Sequence, residues 1–395
     1  MAQVHGHCSP PFQKVQSLFQ QFVDSGEEIG ASITVNVDGE NVIDLWGGYF
    51  DTDRTKPWTE DTLAPLASTT KMISSLAVLM LVDSGAISVH DKVSKYWPEF
   101  ATNGKEDVEI RHLLSHTSGV AGWEDKMTMD EISDVIPSSA KLAKQAPWWK
   151  PGTASAYHAY NFGHLLSEIV RRVTGIGLKQ FIAEKITGPL GADLQLGLVE
   201  KDWPRTTELI LPPPPSAETP DSNKPGPLFL KTIGNPMPTP GMGKRPAWRQ
   251  GEIGASNGYG NARSLNTILS TITLAGREST TTSSGNRKQL LSKATAELIF
   301  EEQSRGVDLA MGVPVRFGIG YALRGDGDTW VDDWMPEGKI AYWGGAGGSL
   351  GIMDFDRRVT ISYAMNKGSN SGIGNTASKA YIAAIYEALG GAGVK

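Results

Sequence analysis

One stretch constrains the fold more than any other, because residues 72–81 predict a helix that is apolar on every side. A helix without a polar face has to be buried, so the rest of the chain must enclose it. With 395 residues, the chain is long enough for one large domain or two smaller ones. The sequence therefore predicts a globular protein built around this helix.

The first turn of this helix carries a hydroxyl and an amine. Ser68 and Lys71 are three residues apart, and such positions share one helix face with about 5–6 Å between Cβ atoms. Burial and the positive end of the helix dipole both favour an uncharged lysine. A neutral amine can take a proton from a serine, so the pair is typical of a nucleophile and its base. The structural alternative is that Ser68 caps the helix and Lys71 extends to water.

The Ser-x-x-Lys pattern occurs a second time, at Ser138 and Lys141. This copy follows Pro137 in a polar, alanine- and lysine-rich stretch, with no apolar run behind it. We interpret it as the solvated start of a helix rather than as a second site.

Two histidines, His112 and His116, have the spacing of paired metal ligands on one helix. Neither a glutamate in the second position nor a third nearby ligand supports a metal site. The sequence instead predicts helix capping and core hydrogen bonds for both rings. We expect the protein to act without a metal or a cofactor.

Composition excludes several classes of function. The net charge is −6 and no block of like charge occurs, which argues against nucleic acid or an anionic membrane as partner. The single cysteine, Cys8, excludes an internal disulfide framework and a cysteine-based zinc site. The N-terminus lacks the pattern of a signal peptide, and the longest apolar run is too short to span a bilayer. We therefore expect a cytoplasmic protein that is a monomer or a small homo-oligomer.

The order of predicted elements indicates the fold class. A helix over 12–24 precedes a hairpin of strands at Gly30–Val37 and Asn41–Trp46. Four more strands are predicted before a last helix from about Asn375 to Leu389: Phe317–Leu323, Ile340–Trp343, Leu350–Asp354 and Val359–Met365. Strands at both chain ends predict an α/β fold of the α+β type, in which helices flank an antiparallel sheet and a mostly helical insertion separates its halves.

We predict a single domain over residues 10–391. Its parts are an α/β region (10–84 and 258–391) and a helical region (85–257). Residues 203–250 hold twelve of the chain's 23 prolines together with several aromatic side chains. A long proline-rich loop in a compact domain is either disordered or functional, and the apolar content favours packing, so we predict a lid or pocket wall. Residues 280–285 predict a flexible polar turn.

Three motifs occur in an order and spacing that are more specific together than any one of them: Ser68-Thr69-Thr70-Lys71, Tyr157-His158-Ala159 and Trp343-Gly344-Gly345. Over about residues 10–390, the chain resembles the serine β-lactamase and penicillin-binding-protein superfamily. Within it, the likeness is greatest to the class C β-lactamases and the family VIII carboxylesterases.

The resemblance implies a role for each motif. Ser68 would be the acylated nucleophile, Lys71 its proton acceptor or electrostatic partner, and Tyr157 a second general base that later donates to the leaving alcohol. The run Trp343-Gly344-Gly345 matches the family's Lys-Thr-Gly strand and would line the substrate. The backbone N–H groups of Ser68 and Ala346 would form the oxyanion hole, where glycines let the backbone approach the substrate closely.

Two departures from the family pattern narrow the range of expected substrates. Ala159 stands where the Tyr-x-Asn motif has asparagine, and Trp343 stands where Lys-Thr-Gly has lysine. That lysine helps to hold a substrate carboxylate, which needs a cation, whereas tryptophan offers an apolar face and one donor. We therefore expect a small, neutral and apolar ester as the substrate, rather than a β-lactam or a D-amino peptide.

Three alternatives stay open at this point. The acyl-enzyme could pass its acyl group to a bulky alcohol, which would make the protein an acyltransferase. The chain could also be a non-catalytic acyl-binding relative that keeps the fold. Within the site, Tyr160 is a rival to Tyr157, although it belongs to the start of the following helix.

Four residues are weaker candidates than Ser68, Lys71 and Tyr157. His158 and Trp123 are expected near the substrate pocket. Ser256 and Ser349 each occupy a Gly-x-Ser-x-Gly pattern, which in an α/β-hydrolase is followed by the histidine of the triad. No histidine follows either serine, so neither is expected to be a nucleophile or to matter much for turnover.

Overall fold

The computed structural model describes residues 2–212, 226–239, 241–277 and 288–390. The predicted turn at 280–285 and residues 213–225 of the proline-rich segment lie outside these ranges. The strands are β1 (Val4–Cys8), β2 (Gly30–Val37), β3 (Glu40–Gly48), β4 (Ala64–Ala67), β5 (Leu194–Leu196), β6 (Gly258–Gly260), β7 (Ser304–Val307), β8 (Pro314–Phe317), β9 (Ala322–Leu323), β10 (Ile340–Gly344), β11 (Leu350–Asp354) and β12 (Val359–Met365). The helices are α1 (Gln13–Ser25), α2 (Thr70–Asp83), α3 (Ile110–Leu114), α4 (Met129–Ser133), α5 (Val135–Lys144), α6 (Asn161–Thr174), α7 (Leu178–Phe181), α8 (Gly188–Leu190), α9 (Phe229–Thr232), α10 (Pro246–Gln250), α11 (Ala262–Thr273), α12 (Lys293–Leu298) and α13 (Thr376–Ala388).

Nine strands form one sheet in the order β1-β3-β2-β12-β11-β10-β9-β8-β7, and every pairing is antiparallel. The pairing of β2 with β12, from Ala31 opposite Met365 to Val37 opposite Val359, joins the two ends of the chain at the centre of the sheet. This confirms the predicted antiparallel sheet with flanking helices. A second, three-stranded sheet has the order β4-β6-β5.

Two strand predictions need correction. β1 precedes residue 10, at which the predicted domain begins, and pairs with β3 along its whole length. The strand predicted over Phe317–Leu323 is instead a tight hairpin of β8 and β9. Gly318 and Gly320 lie in the turn, where Gly320 has φ of +86° and Gly318 N–H donates to Tyr321 O over 3.0 Å. Glycine allows this reversal because it has no side chain to oppose a positive φ.

Helices cover both faces of the large sheet and enclose α2. On one face, Asn266 of α11 donates to the carbonyls of Thr34 and Thr360 over 3.0 and 2.9 Å. On the other face, the ring of Tyr381 in α13 packs against Phe19 of α1. The apolar side chains of α2 are buried, except that Met80 and Val82 are partly exposed, as its mostly apolar sequence predicts. No helix in the described ranges combines the length and the apolar character that crossing a bilayer requires.

The described parts of the 203–250 segment pack against the body of the protein. Ile210 N–H donates to Asn366 O over 2.7 Å, and Leu228 N–H donates to Leu309 O over 2.9 Å. Trp248 of α10 is buried. The expected packing is therefore present in these parts, and a role as a lid or pocket wall stays a prediction.

A carboxyl group is buried where α1 and α13 cover the sheet. Glu28 is 1% exposed, and its Oε1 accepts hydrogen bonds from the hydroxyls of Tyr363 and Tyr381. Its Oε2 has no partner among the residues that the structure describes. Burial, helped by the charge of Glu27, raises the pKa of Glu28 to about 8 against the opposing effects of both tyrosines and Lys367.

We expect Glu28→Gln to stabilise the protein at alkaline pH. The folded-state pKa of about 8 lies above the ordinary value of 4.5, so the folded protein holds a proton in this window that the unfolded chain has lost. Stability therefore falls as the pH rises from about 4.5 to 8. Glutamine keeps the acceptor oxygen and cannot ionise, so the free energy of unfolding at pH 9 should increase by about 5 kcal/mol.

Urea unfolding at pH 5 and pH 9 measures this difference. Glu27→Gln is the control, because the Glu27 side chain is 41% exposed and burial is the main cause of the raised Glu28 pKa, so most of the pH dependence should remain. An unchanged pH dependence in Glu28→Gln would contradict the raised pKa.

Candidate active site

Ser68 lies in a sharp turn between β4 and α2. The preceding residue, Ala67, has φ of +44°, a left-handed conformation that is rare for residues other than glycine and is concentrated at functional sites. Thr70 stabilises the turn, since its Oγ1 donates to Ala67 O over 2.6 Å and accepts from Gly258 N–H over 2.9 Å. Thr69 is the N-cap residue of α2, so the alternative that Ser68 caps the helix is wrong.

The Lys71 side chain reaches Ser68 in the interior of the protein. Its Nζ lies 3.3 Å from Ser68 Oγ, 2.8 Å from Ala159 O and 2.9 Å from Ala255 O. Only 2% of the residue is exposed, which excludes the alternative that Lys71 extends to water. The predicted contact between the two side chains is therefore present.

Burial lowers the pKa of Lys71 well below its ordinary value, because a buried ammonium loses its hydration. No carboxylate pairs with it in the part of the chain that the structure describes. A neutral amine has two N–H groups and one lone pair. The carbonyls of Ala159 and Ala255 take the two N–H groups, so the lone pair is left to face the Ser68 hydroxyl.

Tyr157 completes a cluster with these two residues. Lys71 Nζ lies 4.6 Å from the centre of its ring, and Trp343 packs with ring centres 5.2 Å apart. Burial raises the pKa of Tyr157, and contacts of its hydroxyl with Ser68 and with the Trp343 indole oppose that rise. The phenol therefore keeps its proton at neutral pH, which favours its role as a proton donor over that of an initial base.

Asp308, which sequence reasoning missed, fixes the backbone of Tyr157. Its Oδ1 accepts from the N–H groups of Tyr157, Ala310 and Met311 over 3.0, 2.9 and 2.9 Å. The carboxyl group is fully buried. Nothing in the local sequence marks this aspartate, because the contact joins segments 151 residues apart.

His116 packs behind Tyr157. Its φ of +62° marks a sharp turn just beyond α3, which ends at Leu114. His116 Nδ1 accepts from His158 N–H over 3.1 Å, and its ring centre lies 5.1 Å from that of Tyr157. Burial lowers the pKa of His116, which keeps the ring neutral. His112 Nδ1 accepts from Glu109 N–H in a capping box, so both histidines have the structural roles that were predicted.

Two predicted substrate contacts are corrected by the geometry. His158 is fully buried, and its ring nitrogens are 2.7 Å from Ser118 Oγ and 2.7 Å from Ala156 O. Burial lowers the pKa of His158 to about 3. Trp123 is 1% exposed and donates from Nε1 to Ser138 O over 2.9 Å. Both side chains are part of the protein interior and have no surface to offer a substrate.

The turn after β10 lies directly against the segment that carries Ser68. A Cβ atom on Gly345 would be only 2.4 Å from Leu66 O and 3.0 Å from the Ala67 Cβ, so only glycine permits this approach. Ala346, the next residue, is exposed. Gly345 therefore borders the Ser68 turn, and the role of Trp343, Gly344 and Gly345 in lining the substrate stays a prediction.

The serines of the other sequence patterns, Ser138, Ser349 and Ser256, have surroundings that differ from those of Ser68. Ser138 is buried within α5 and donates to Glu131 O over 2.6 Å, whereas Lys141 pairs with the Glu131 carboxylate at 3.3 Å. The expectation of a solvated helix start is therefore wrong for Ser138. Ser349 is also fully buried and donates to Leu66 O. Ser256 follows Ala255, whose carbonyl accepts from Lys71.

Comparison with known proteins identifies the family. The Beta-lactamase family model matches residues 15–384. Esterase/beta-lactamase LipL of Mycobacterium tuberculosis is 29% identical over 383 residues, which cover 92% of this chain and 83% of LipL. A family VIII carboxylesterase structure superposes with a TM-score of 0.88 at 33% identity, covering 98% of this chain and 100% of that chain. A penicillin-binding protein homologue from Caulobacter crescentus has the same TM-score and coverage at 32% identity. Because the family model matches most of its length, the chain belongs to the beta-lactamase family.

Proposed function

We propose that this protein hydrolyses small carboxylic esters through an acyl-Ser68 intermediate. The observation that carries the proposal is the buried amine of Lys71, 3.3 Å from Ser68 Oγ and without a carboxylate partner among the described residues. The names of LipL and of the family VIII carboxylesterase support an esterase. A chain that had become a passive binding protein would have no need to retain a desolvated lysine beside a serine.

In the acylation step, Lys71 accepts the Ser68 proton while Oγ attacks the ester carbonyl carbon. The N–H groups of Ser68 and Ala346 would stabilise the oxyanion. Collapse of the tetrahedral intermediate breaks the bond to the alcohol, whose oxygen takes the Tyr157 proton. The Lys71 ammonium then reprotonates Tyr157. In deacylation, Lys71 accepts a proton from water as the water attacks the acyl carbonyl, and Ser68 Oγ takes the Tyr157 proton as the acid is released.

The walls of the site favour a neutral substrate. Trp343 occupies the position at which the family's lysine would hold a carboxylate, and it is 95% buried against Tyr157. Burial lowers the pKa of Lys71 and so disfavours its charge, and its Nζ faces Ser68, which makes it a poor substitute for that cation. We infer that esters of neutral acids react faster than esters that carry a second, free carboxylate.

Labelling with a fluorophosphonate tests the proposal directly. We expect a single modified peptide that contains Ser68, loss of the label in Ser68→Ala, and retention in Ser138→Ala, the matched serine of the second Ser-x-x-Lys pattern. A label on any other serine would contradict the assignment. Adding an alcohol to the hydrolysis assay and measuring the ester formed tests the acyltransferase alternative, which stays a prediction.

A further inference from the structure

We propose that Ser349 is a positioning residue that sets the distance between the two oxyanion donors, the backbone N–H groups of Ser68 and Ala346. This inference rests on the proposed function. It concerns the serine of a Gly-x-Ser-x-Gly pattern that is not placed as a nucleophile, and it replaces the expectation from sequence that Ser349 matters little for turnover.

The Ser349 hydroxyl forms hydrogen bonds with one residue before Ser68 in the sequence and one residue after it. Its Oγ lies 2.8 Å from Leu66 O and 2.9 Å from Thr69 Oγ1. A hydroxyl has one hydrogen to donate, and the Leu66 carbonyl can only accept. Ser349 therefore donates to Leu66, and the Thr69 hydroxyl donates to Ser349. Residues 66 and 69 enclose Ala67 and Ser68, so this pair of bonds holds the segment that contains the nucleophile.

The backbone of Ser349 closes the turn that carries Ala346. Its carbonyl accepts from Gly345 N–H over 2.8 Å, and Gly348 N–H donates to Gly345 O over 3.0 Å. Gly347 and Gly348 have φ of +99° and +128°, which a side chain would oppose. The turn is thus fixed in shape by its own hydrogen bonds.

One residue therefore links the two halves of the oxyanion hole. Its carbonyl orders the turn with Ala346, and its hydroxyl orders the turn with Ser68. A Cβ on Gly345 would lie 2.4 Å from Ser349 Oγ and 2.4 Å from Leu66 O, so the two turns are in contact at this point. Ser349 is fully buried, so its hydroxyl is shielded from bulk solvent. Losing the hydroxyl would let the two turns separate without removing either donor.

The test compares Ser349→Ala with the parent on a neutral p-nitrophenyl ester and with an alkyl boronic acid, which forms a tetrahedral adduct with a serine nucleophile. Complete loss of an oxyanion donor lowers kcat by about 10²–10³. For a displaced donor we expect kcat to fall about 10- to 100-fold, boronate affinity to fall by a similar factor, and KM to stay nearly constant.

Three further variants separate positioning from a general loss of stability. Thr69→Val removes the second hydroxyl at constant size and should lower kcat by a smaller factor, whereas Thr69→Ser should retain parent activity. Ser138→Ala is the matched control, because it also removes a buried serine-to-carbonyl hydrogen bond between two segments. It should lower Tm and leave kcat unchanged.

Parent-like kcat and boronate affinity in Ser349→Ala would overturn the inference, as would a rise in KM at constant kcat. Should Ser349→Ala not fold, parent-like kcat in Thr69→Val overturns it instead. These outcomes leave the proposed function intact as long as the fluorophosphonate still modifies Ser68. Absence of that label from the parent enzyme would remove the proposed function itself.

Discussion

Replacing Ser68 with alanine should lower kcat for a neutral p-nitrophenyl ester by about 10⁶-fold, the loss seen when a serine hydrolase loses its nucleophile. The reason is that the acyl-enzyme cannot form. Lys71 and Tyr157 then remain around a site that binds substrate but has no atom to acylate. Turnover under substrate saturation, with Tm as a check on folding, measures the effect.

The Ser68→Ala prediction has a built-in control in the same chain. Ser138 has the same Ser-x-x-Lys spacing, but its hydroxyl donates to Glu131 O and its lysine partner pairs with a carboxylate. Ser138→Ala should therefore keep parent turnover. A Ser68→Ala variant that folds and retains more than about one thousandth of parent kcat would place the nucleophile elsewhere, since binding and oxyanion stabilisation alone leave far less.

The local parts of this site could be predicted because they depend on neighbouring residues in the sequence. The apolar stretch after Lys71 predicted a buried helix, and the spacing of Ser68 and Lys71 predicted their contact; both are present. Alternation and turn residues located the hairpin of β2 and β3. In each case the residues are close in sequence, so the repeat of the helix or strand alone decides which side chains share a face.

Contacts between residues that are far apart in the sequence could not be predicted from local patterns. Asp308 binds the Tyr157 backbone from 151 residues away, and Ser349 binds Leu66 across 283 residues. His158 was predicted at the substrate because it follows Tyr157 directly. Its ring instead reaches Ser118 in the interior, since adjacent side chains in a non-helical segment need not point the same way. Only the tertiary fold distinguishes these cases.

Replacing Lys71 should cause the second large loss of kcat. The Lys71→Arg variant shows whether Lys71 acts as a base or only supplies positive charge. If Lys71 acts as a base, Lys71→Met and Lys71→Arg should both lower kcat by about 10³–10⁴-fold, near the upper range for general base catalysis. A guanidinium keeps the positive charge but cannot accept a proton at any pH used in assays. If Lys71 supplied only positive charge, arginine would retain much of the activity and methionine would not.

The pH profile of the parent enzyme completes this test. Burial lowers the pKa of Lys71 well below 10.5, so the amine is already neutral over a range where an ordinary lysine is charged. Because the neutral form is the active one, kcat/KM should rise with pH through this lowered pKa and reach its plateau below the pH at which an ordinary lysine loses its proton. Burial raises the pKa of Tyr157, so the plateau should extend to pH 10 or beyond before the proton donor is lost. An acid limb near the ordinary lysine value, or substantial activity in Lys71→Arg, would show that the amine does not accept the Ser68 proton.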